Sequence, residues 1–197
     1  MFSNQKYSVI GLAIFTATYL FACASNPITY RYDRDKEEPM HEHTTFQLFK
    51  PDEETLKQMD IKNPDDLKII EEAIIEQMEK KNYTQSDDPD LWVTYFVTGK
   101  DFQKAESSTV TVGVGFGGYH GGVGMSQGKT NIKYFDYREG TLIIDFFNRE
   151  EKLVWHGIAK GSYEVEKTNV EDLSRQVVKK IFQYYKYKVK VPKEEKP

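Results

Sequence analysis

The sequence predicts an α+β fold: a single antiparallel-rich sheet of about five or six strands, two helices packed on one face, and a long glycine-rich hairpin. Three observations predict it. Runs of β-branched and aromatic residues recur between turn-forming clusters, and aromatics make up 14% of the chain, with 13 Tyr and 12 Phe. Two segments carry apolar residues at helical spacing behind capping residues. The strand-like runs gather ahead of the second of these segments instead of alternating strictly with helices, which is the α+β pattern. A chain of 197 residues, 39% of them hydrophobic, buries roughly 70% of the surface its unfolded form exposes, enough for one self-sufficient core. Its formal charge of -4 lacks the basic footprint that nucleic-acid binding requires.

Taken in order, the first 22 residues stand apart from this domain. Lys6 is the only charge before Arg31, and Tyr7 to Ala22 is a run of 16 mostly apolar residues. A spanning helix needs about 20, so the run suits the apolar core of a secretory signal peptide. It ends at Leu20-Phe21-Ala22-Cys23. Cys23 is the only cysteine, so an internal disulfide is excluded. Leu-x-Ala-Cys at this place resembles the bacterial lipobox, although Phe21 is bulkier than the usual occupant. The resemblance implies cleavage before Cys23, a diacylglycerol thioether on its sulfur, and acylation of the new amino terminus. Three acyl chains would hold the protein on a bilayer almost irreversibly, since each buried methylene contributes about 0.8 kcal/mol. Neither Ala24 nor Ser25 is the aspartate associated with inner-membrane retention. The same resemblance therefore implies an outer-membrane anchor with the domain facing the periplasm.

Residues 24 to 43 hold Pro27, Pro39 and a dense run of charges, and read as a tether with room for a short strand at Ile28-Tyr30-Tyr32. Thr44 to Lys50 is strand-like and stops at Pro51, and Asp52 to Asp60 is a loop or a single helical turn. Asn63-Pro64-Asp65-Asp66 opens a helix: a capping side chain, a proline at the first position, then acids at the positive end of the dipole. Leu67, Ile70, Ala73, Ile74 and Met78 form its apolar stripe, and Asn82 suits a left-handed cap. Strands follow at Leu91 to Thr98, Ser107 to Val114, Asn131 to Tyr137, Thr141 to Phe147 and Leu153 to Lys160. Arg138-Glu139-Gly140 and Asn148 to Lys152 read as their connections. Thr168-Asn169-Val170-Glu171 has the form of a capping box before a helix whose Val170, Leu173, Val177, Ile181 and Tyr184 share a face. The tail YKYKVKV reads as a ragged strand. The organisation is a signal peptide (1–22), a lipidated N-terminus and tether (23–43), one domain (44–187) and a charged tail (188–197).

DDPDLWVTY (87–95) and YREGTLIIDFFNREEKLVWHGIAKG (137–161), followed by a capped helix, resemble the bacterial lipoproteins of domain-of-unknown-function family 4136. Asn148-Arg149-Glu150-Glu151 stands where that family usually has an Asp-led turn with glycine. The resemblance implies fold and placement and carries no known activity.

GVGFGGYHGGVGMSQGKT (113–130) holds eight glycines and the letters of two phosphate motifs. Gly113, Gly115 and Gly118 match the dinucleotide fingerprint, but no helix follows to receive a pyrophosphate, since each interior glycine costs a helix about 1 kcal/mol. The phosphate loop ending in Gly128-Lys129-Thr130 needs glycine at position 123, which is Val123. Nucleotide binding is thereby excluded, and no cofactor is expected. What remains is a long flexible hairpin tip between two strands or, as the alternative, an exposed loop that offers Phe116, Tyr119, His120 and Met125 to a protein partner of the envelope. His41-Glu42-His43 has metal-like spacing but no third ligand, so no metal site is assigned. Asp145 and His156 face each other across the last hairpin without a nucleophile beside them, so no catalytic residue is assigned. Trp92 and Trp155 read as sheet packing, and the lysines from Lys179 to Lys196 as a solvated helix end.

The functional expectation is an outer-membrane-anchored periplasmic lipoprotein, not an enzyme, that touches the bilayer through acylated Cys23 and serves as a structural or interaction module. The alternative is a carrier or sensor of a small apolar or lipid ligand held between helices and sheet. A hydrolase ranks last.

Overall fold

The computed structural model describes residues 28–59, 61–114 and 125–190, with side chains throughout except at 109–114 and 125–130. In chain order the elements are β1 (Thr29–Arg34), β2 (Thr45–Leu48), α1 (Glu53–Gln58), α2 (Pro64–Lys80), β3 (Thr84–Gln85), β4 (Leu91–Val114), β5 (Met125–Phe147), β6 (Leu153–Glu164) and α3 (Val170–Phe182). The strands form one open six-stranded sheet in the order β1-β6-β5-β4-β2-β3.

This sheet is mixed and not antiparallel-rich as expected. β1, β6, β5 and β4 pair antiparallel, whereas β2 runs parallel to both β4 and β3. The chain leaves β2 through α1 and α2, and such a helical crossover returns it to the end where β2 began. A strand entered that way runs parallel to its predecessor.

A second difference concerns length. The connection expected at Arg138-Glu139-Gly140 is the middle of β5, and the two strands expected at 91–98 and 107–114 are one strand, β4. Arg138, Glu139 and Gly140 pair with Asp101, Lys100 and Gly99 on one side and with Tyr163, Ser162 and Gly161 on the other. A glycine among charges has the local composition of a turn, but ladder bonds on both sides hold this one extended. The strand pairing continues to Val114 opposite Met125, while residues 115–124, the centre of the expected hairpin tip, lie outside the described residues.

The helix ends follow local chemistry. The Asn63 side chain accepts from the Asp65 amide at 3.2 Å ahead of Pro64, and Asn82 takes φ 66° past the end of α2. α3 is capped one residue later than expected, by Asn169, which accepts from the Asp172 amide at 3.1 Å. Through Lys190, the last described residue, the tail is not a strand. It lies against the end of α2, where the Val189 amide donates to Lys81 O and Asn82 Nδ2 donates to Val189 O, at 2.9 and 2.8 Å.

Burial alternates along Leu91–Tyr95 of β4, Leu142–Phe146 of β5 and Trp155–Ala159 of β6. Leu91, Val93, Tyr95, Leu142, Ile144, Phe146 and Ala159 pack under Ile70, Ala73, Ile74 and Met78 of α2 and Val178, Ile181 and Phe182 of α3. Trp155 and Phe146 pack at a 44° tilt with ring centres 4.9 Å apart, and Tyr185 is edge-on to both. Gly157 makes room for the indole, since a Cβ there would lie 2.4 Å from the Trp155 ring. Stretch 28–43 supplies β1 and the fully buried Met40. The opposite face carries the partly exposed Trp92, Phe96, Ile143 and Ile158, and neither α2 nor α3 covers it.

Candidate functional site

Three strands bring glycines into one register row: Gly99 on β4, Gly140 on β5 and Gly161 on β6. The row lies on the helix-covered face, since Gly99, Gly140 and Gly161 share the parity of Tyr95, Leu142 and Ala159. A Cβ at Gly99 would meet the Arg138 guanidinium at 2.5 Å, and one at Gly161 would meet Ile28 at 2.7 Å. At Gly140 it would meet only the Thr98 carbonyl oxygen, at 3.7 Å. Without side chains in this row, the sheet drops away beneath the first turns of α2 and α3. The result is an open cleft of about 270 Å³. Val97, Leu142 and Ala159 floor it, and Ile70, Leu173 and Val177 form its walls.

The interior is apolar and the rim is polar. Lys62, Asp66, Arg138 and Tyr163 stand around the opening. Arg138 Nη1 donates to Asp101 Oδ1 at 2.9 Å, and Lys62 pairs with the other oxygen of that carboxylate. These contacts, Lys62 first, hold the Asp101 carboxyl below its ordinary range. Asp66 is pushed the other way, chiefly by burial and then by Asp65, against the pull of Arg138. Burial also raises the Tyr163 phenol. Such a site accepts an apolar body and orients a polar end by hydrogen bonds at its rim.

Asp145 and His156 are opposite each other and joined by Nδ1 and Oδ1 on the helix-free face. Asp33 flanks His156 on β1, and Thr94 flanks Asp145 on β4. The one hydroxyl in this row thus stands two strands, roughly 10 Å, from the imidazole and beside a carboxylate instead. The row holds one carboxylate–imidazole pair, and its hydroxyl has no imidazole beside it. His43 pairs with Glu38 at 2.7 Å and His41 with Glu42 at 3.8 Å. No group of three or more His, Cys, Asp or Glu is gathered for a metal among the described residues. Cys23, Phe116, Tyr119 and His120 lie outside the described residues, and Met125 opens β5 with its backbone opposite Val114. Sequence reasoning offered a ligand between helices and sheet as its alternative but did not locate the cleft. Its signal is the recurrence of Thr98-Gly99-Lys100, Glu139-Gly140-Thr141 and Lys160-Gly161-Ser162, each an isolated glycine within strand-like sequence.

Residues 30–185 match the profile of Domain of unknown function (DUF4136). The chain belongs to this family. Among solved structures, a DUF4136 family protein from Bacteroides thetaiotaomicron VPI-5482 is 15% identical with a TM-score of 0.46, over 82% of this chain and 97% of that one. A PelC dodecamer from Paraburkholderia phytofirmans gives 7% identity and a TM-score of 0.49, over 82% and 99%. A PDZ domain protein from Parabacteroides distasonis ATCC 8503 gives 13% identity and a TM-score of 0.45, and this chain spans only 38% of its length. No curated protein matches the sequence.

Proposed function

We propose that this DUF4136 protein is a lipid-anchored protein of the bacterial envelope, held through acylated Cys23, that carries or senses a small apolar molecule. The observation that supports the reading is the cleft of about 270 Å³ over the glycine row, apolar within and polar at its rim. That volume sits just below the range of about 300–1,000 Å³ typical of small-molecule sites, so the ligand is small or enters by one end only. Placement at the outer membrane, facing the periplasm, rests on the lipobox resemblance of Leu20 to Cys23.

The test uses a neutral apolar dye, N-phenyl-1-naphthylamine, whose fluorescence rises when it leaves water. The wild-type protein is expected to raise it saturably. Gly140→Leu, whose Cβ meets only Thr98 O at an ordinary 3.7 Å and whose side chain is directed into the cleft, is expected to abolish that rise while the melting temperature holds or increases, since glycine weakens a strand interior. Equal dye binding by both proteins would refute the reading.

A second reading is an interaction module that docks a protein partner. The observation in its favour is the helix-free sheet face with Trp92, Phe96, Ile143 and Ile158.

A further inference from the structure

β4 and β5 do not end with the sheet. The last residue of β6 in register is Glu164, opposite Tyr137, which in turn faces Phe102. Beyond that point the two strands run on as a ribbon from Gln103 opposite Asp136 to Val114 opposite Met125, met at its base by the Val165 amide on Asp136 O and the Lys167 ammonium over the Phe135 ring. At about 3.4 Å per residue this arm is roughly 40 Å long. Two strands without a third layer are marginal in water, so an arm of this length calls for a surface to lie against.

The direction of the arm identifies that surface. β1 is antiparallel to β6 and begins at Thr29, opposite Lys160. In the same register lie Thr141 and Thr98, just before the arm leaves the sheet. The N-terminal end of β1 and the base of the arm therefore occupy the same end of the sheet. Only five peptide steps separate Cys23 from Ile28, and fully extended they span at most about 18 Å. A bilayer holding the Cys23 lipid then lies closer to this end than the arm is long. The domain cannot be lifted clear of the membrane by a tether so much shorter than its own projection.

The arm's described side chains suit such a surface. Ile132 and Tyr134 sit two apart on one face of the ribbon, 57% and 67% exposed. Phe102 and Tyr137 stack at 5.6 Å on the other, with the Lys104 ammonium over the Tyr137 ring. Exposed tyrosine and aliphatic groups beside lysines are the residues that settle at the boundary between headgroups and acyl chains. A single hairpin has open edges and so does not cross hydrocarbon by itself. From these observations we infer that the β4–β5 arm lies on the lipid bilayer that holds Cys23, with Ile132 and Tyr134 at the headgroup level. This rests on the reading of Cys23 as the anchor.

The test takes the full chain, expressed with its leader in bacteria and reconstituted in phosphatidylethanolamine–phosphatidylglycerol vesicles containing a spin-labelled phosphatidylcholine. A lipidated Cys23 has no free thiol, so Ile132→Cys, Tyr134→Cys and the exposed control Asp87→Cys, at the opposite end of the sheet, each carry one site for a maleimide dye. The arm sites are expected to lose most of their fluorescence to the spin label while the Asp87→Cys site keeps its own. Arm dyes as bright as the control, or shielded from aqueous iodide without lipid quenching (as a protein partner would produce), overturn the inference. An unaltered chain that itself reacts with the maleimide has a free Cys23, which removes the anchor and the inference together. An unreactive chain whose arm is not quenched leaves the anchor standing and overturns the arm alone.

Discussion

At the scale of single residues, glycines and tyrosines divide the work. Gly157 and Gly140 are both strand glycines, yet one makes room for the Trp155 indole and the other lines the cleft, where a Cβ would make only an ordinary contact with Thr98 O. Composition cannot separate them, because the difference is in what stands opposite. Among the tyrosines, Tyr83 and Tyr185 share a buried hydrogen bond at 2.7 Å, and Tyr95 donates to Glu71 at 2.6 Å. Burial pushes all three phenols above their ordinary value of about 10. An acid whose folded pKa is raised favours folding while it stays protonated in both states, and this advantage is lost as the unfolded chain begins to ionise. Stability from these groups is thus complete below about pH 10 and falls as pH rises beyond it. Lys81, held down by burial beside Lys186 and Lys188, acts in the opposite sense as pH rises. Urea unfolding of wild type and Tyr185→Phe isolates the phenol, because the ring over which Lys81 sits is kept. The wild type is expected to lose stability faster between about pH 9 and pH 11. Parallel slopes would show that the phenol stays ionisable in the fold.

At the scale of elements, the helix starts were legible, as were the strand ends at Leu91, Phe147 and Leu153, whereas the continuity of β4 and β5 was not. Asn63-Pro64 and the acids behind it specify the start of α2 by local hydrogen bonds and dipole, and the structure begins the helix there. Each strand, by contrast, ends where its partners do. β4 and β5 run through Gly99 and Gly140 because each supplies the other's ladder, and the charged segment around Arg138 is a continuous strand for that reason. The same pairing leaves β4 and β5 with a second face that no helix covers among the described residues. If the interaction reading holds, a photo-crosslinking amino acid at Phe96 is expected to capture a discrete envelope protein in cells, and one at Lys179 on the solvent side of α3 to capture none. Identical patterns from both positions would remove the support this face gives.

For the molecule as a whole, three features gather at one end of the sheet: the start of β1, the base of the arm and the polar rim of the cleft. Anchorage at Cys23 would turn all three toward a membrane. The anchor itself is tested by metabolic labelling. Wild-type protein is expected to incorporate radioactive palmitate and to sediment with membranes, and Cys23→Ala to do neither. Equal label in the two proteins would place the acyl chain elsewhere or nowhere. Among the described residues no helix is long and apolar enough to cross a membrane.

What the sequence determined alone are the features whose causes are local. The apolar run ending at Cys23, the capped starts of α2 and α3, the left-handed turn at Asn82 and the alternation that faces Leu142, Ile144 and Phe146 inward all arise within a few residues of chain. Membership of the DUF4136 family was legible for the same reason, in short segments such as 87–95 and 137–161. The parallel placement of β2, the length of β4 and β5 and the cleft over Gly140 were decided by the tertiary structure. Each depends on partners tens of residues away, and a glycine's role is set by what occupies the space its missing side chain leaves.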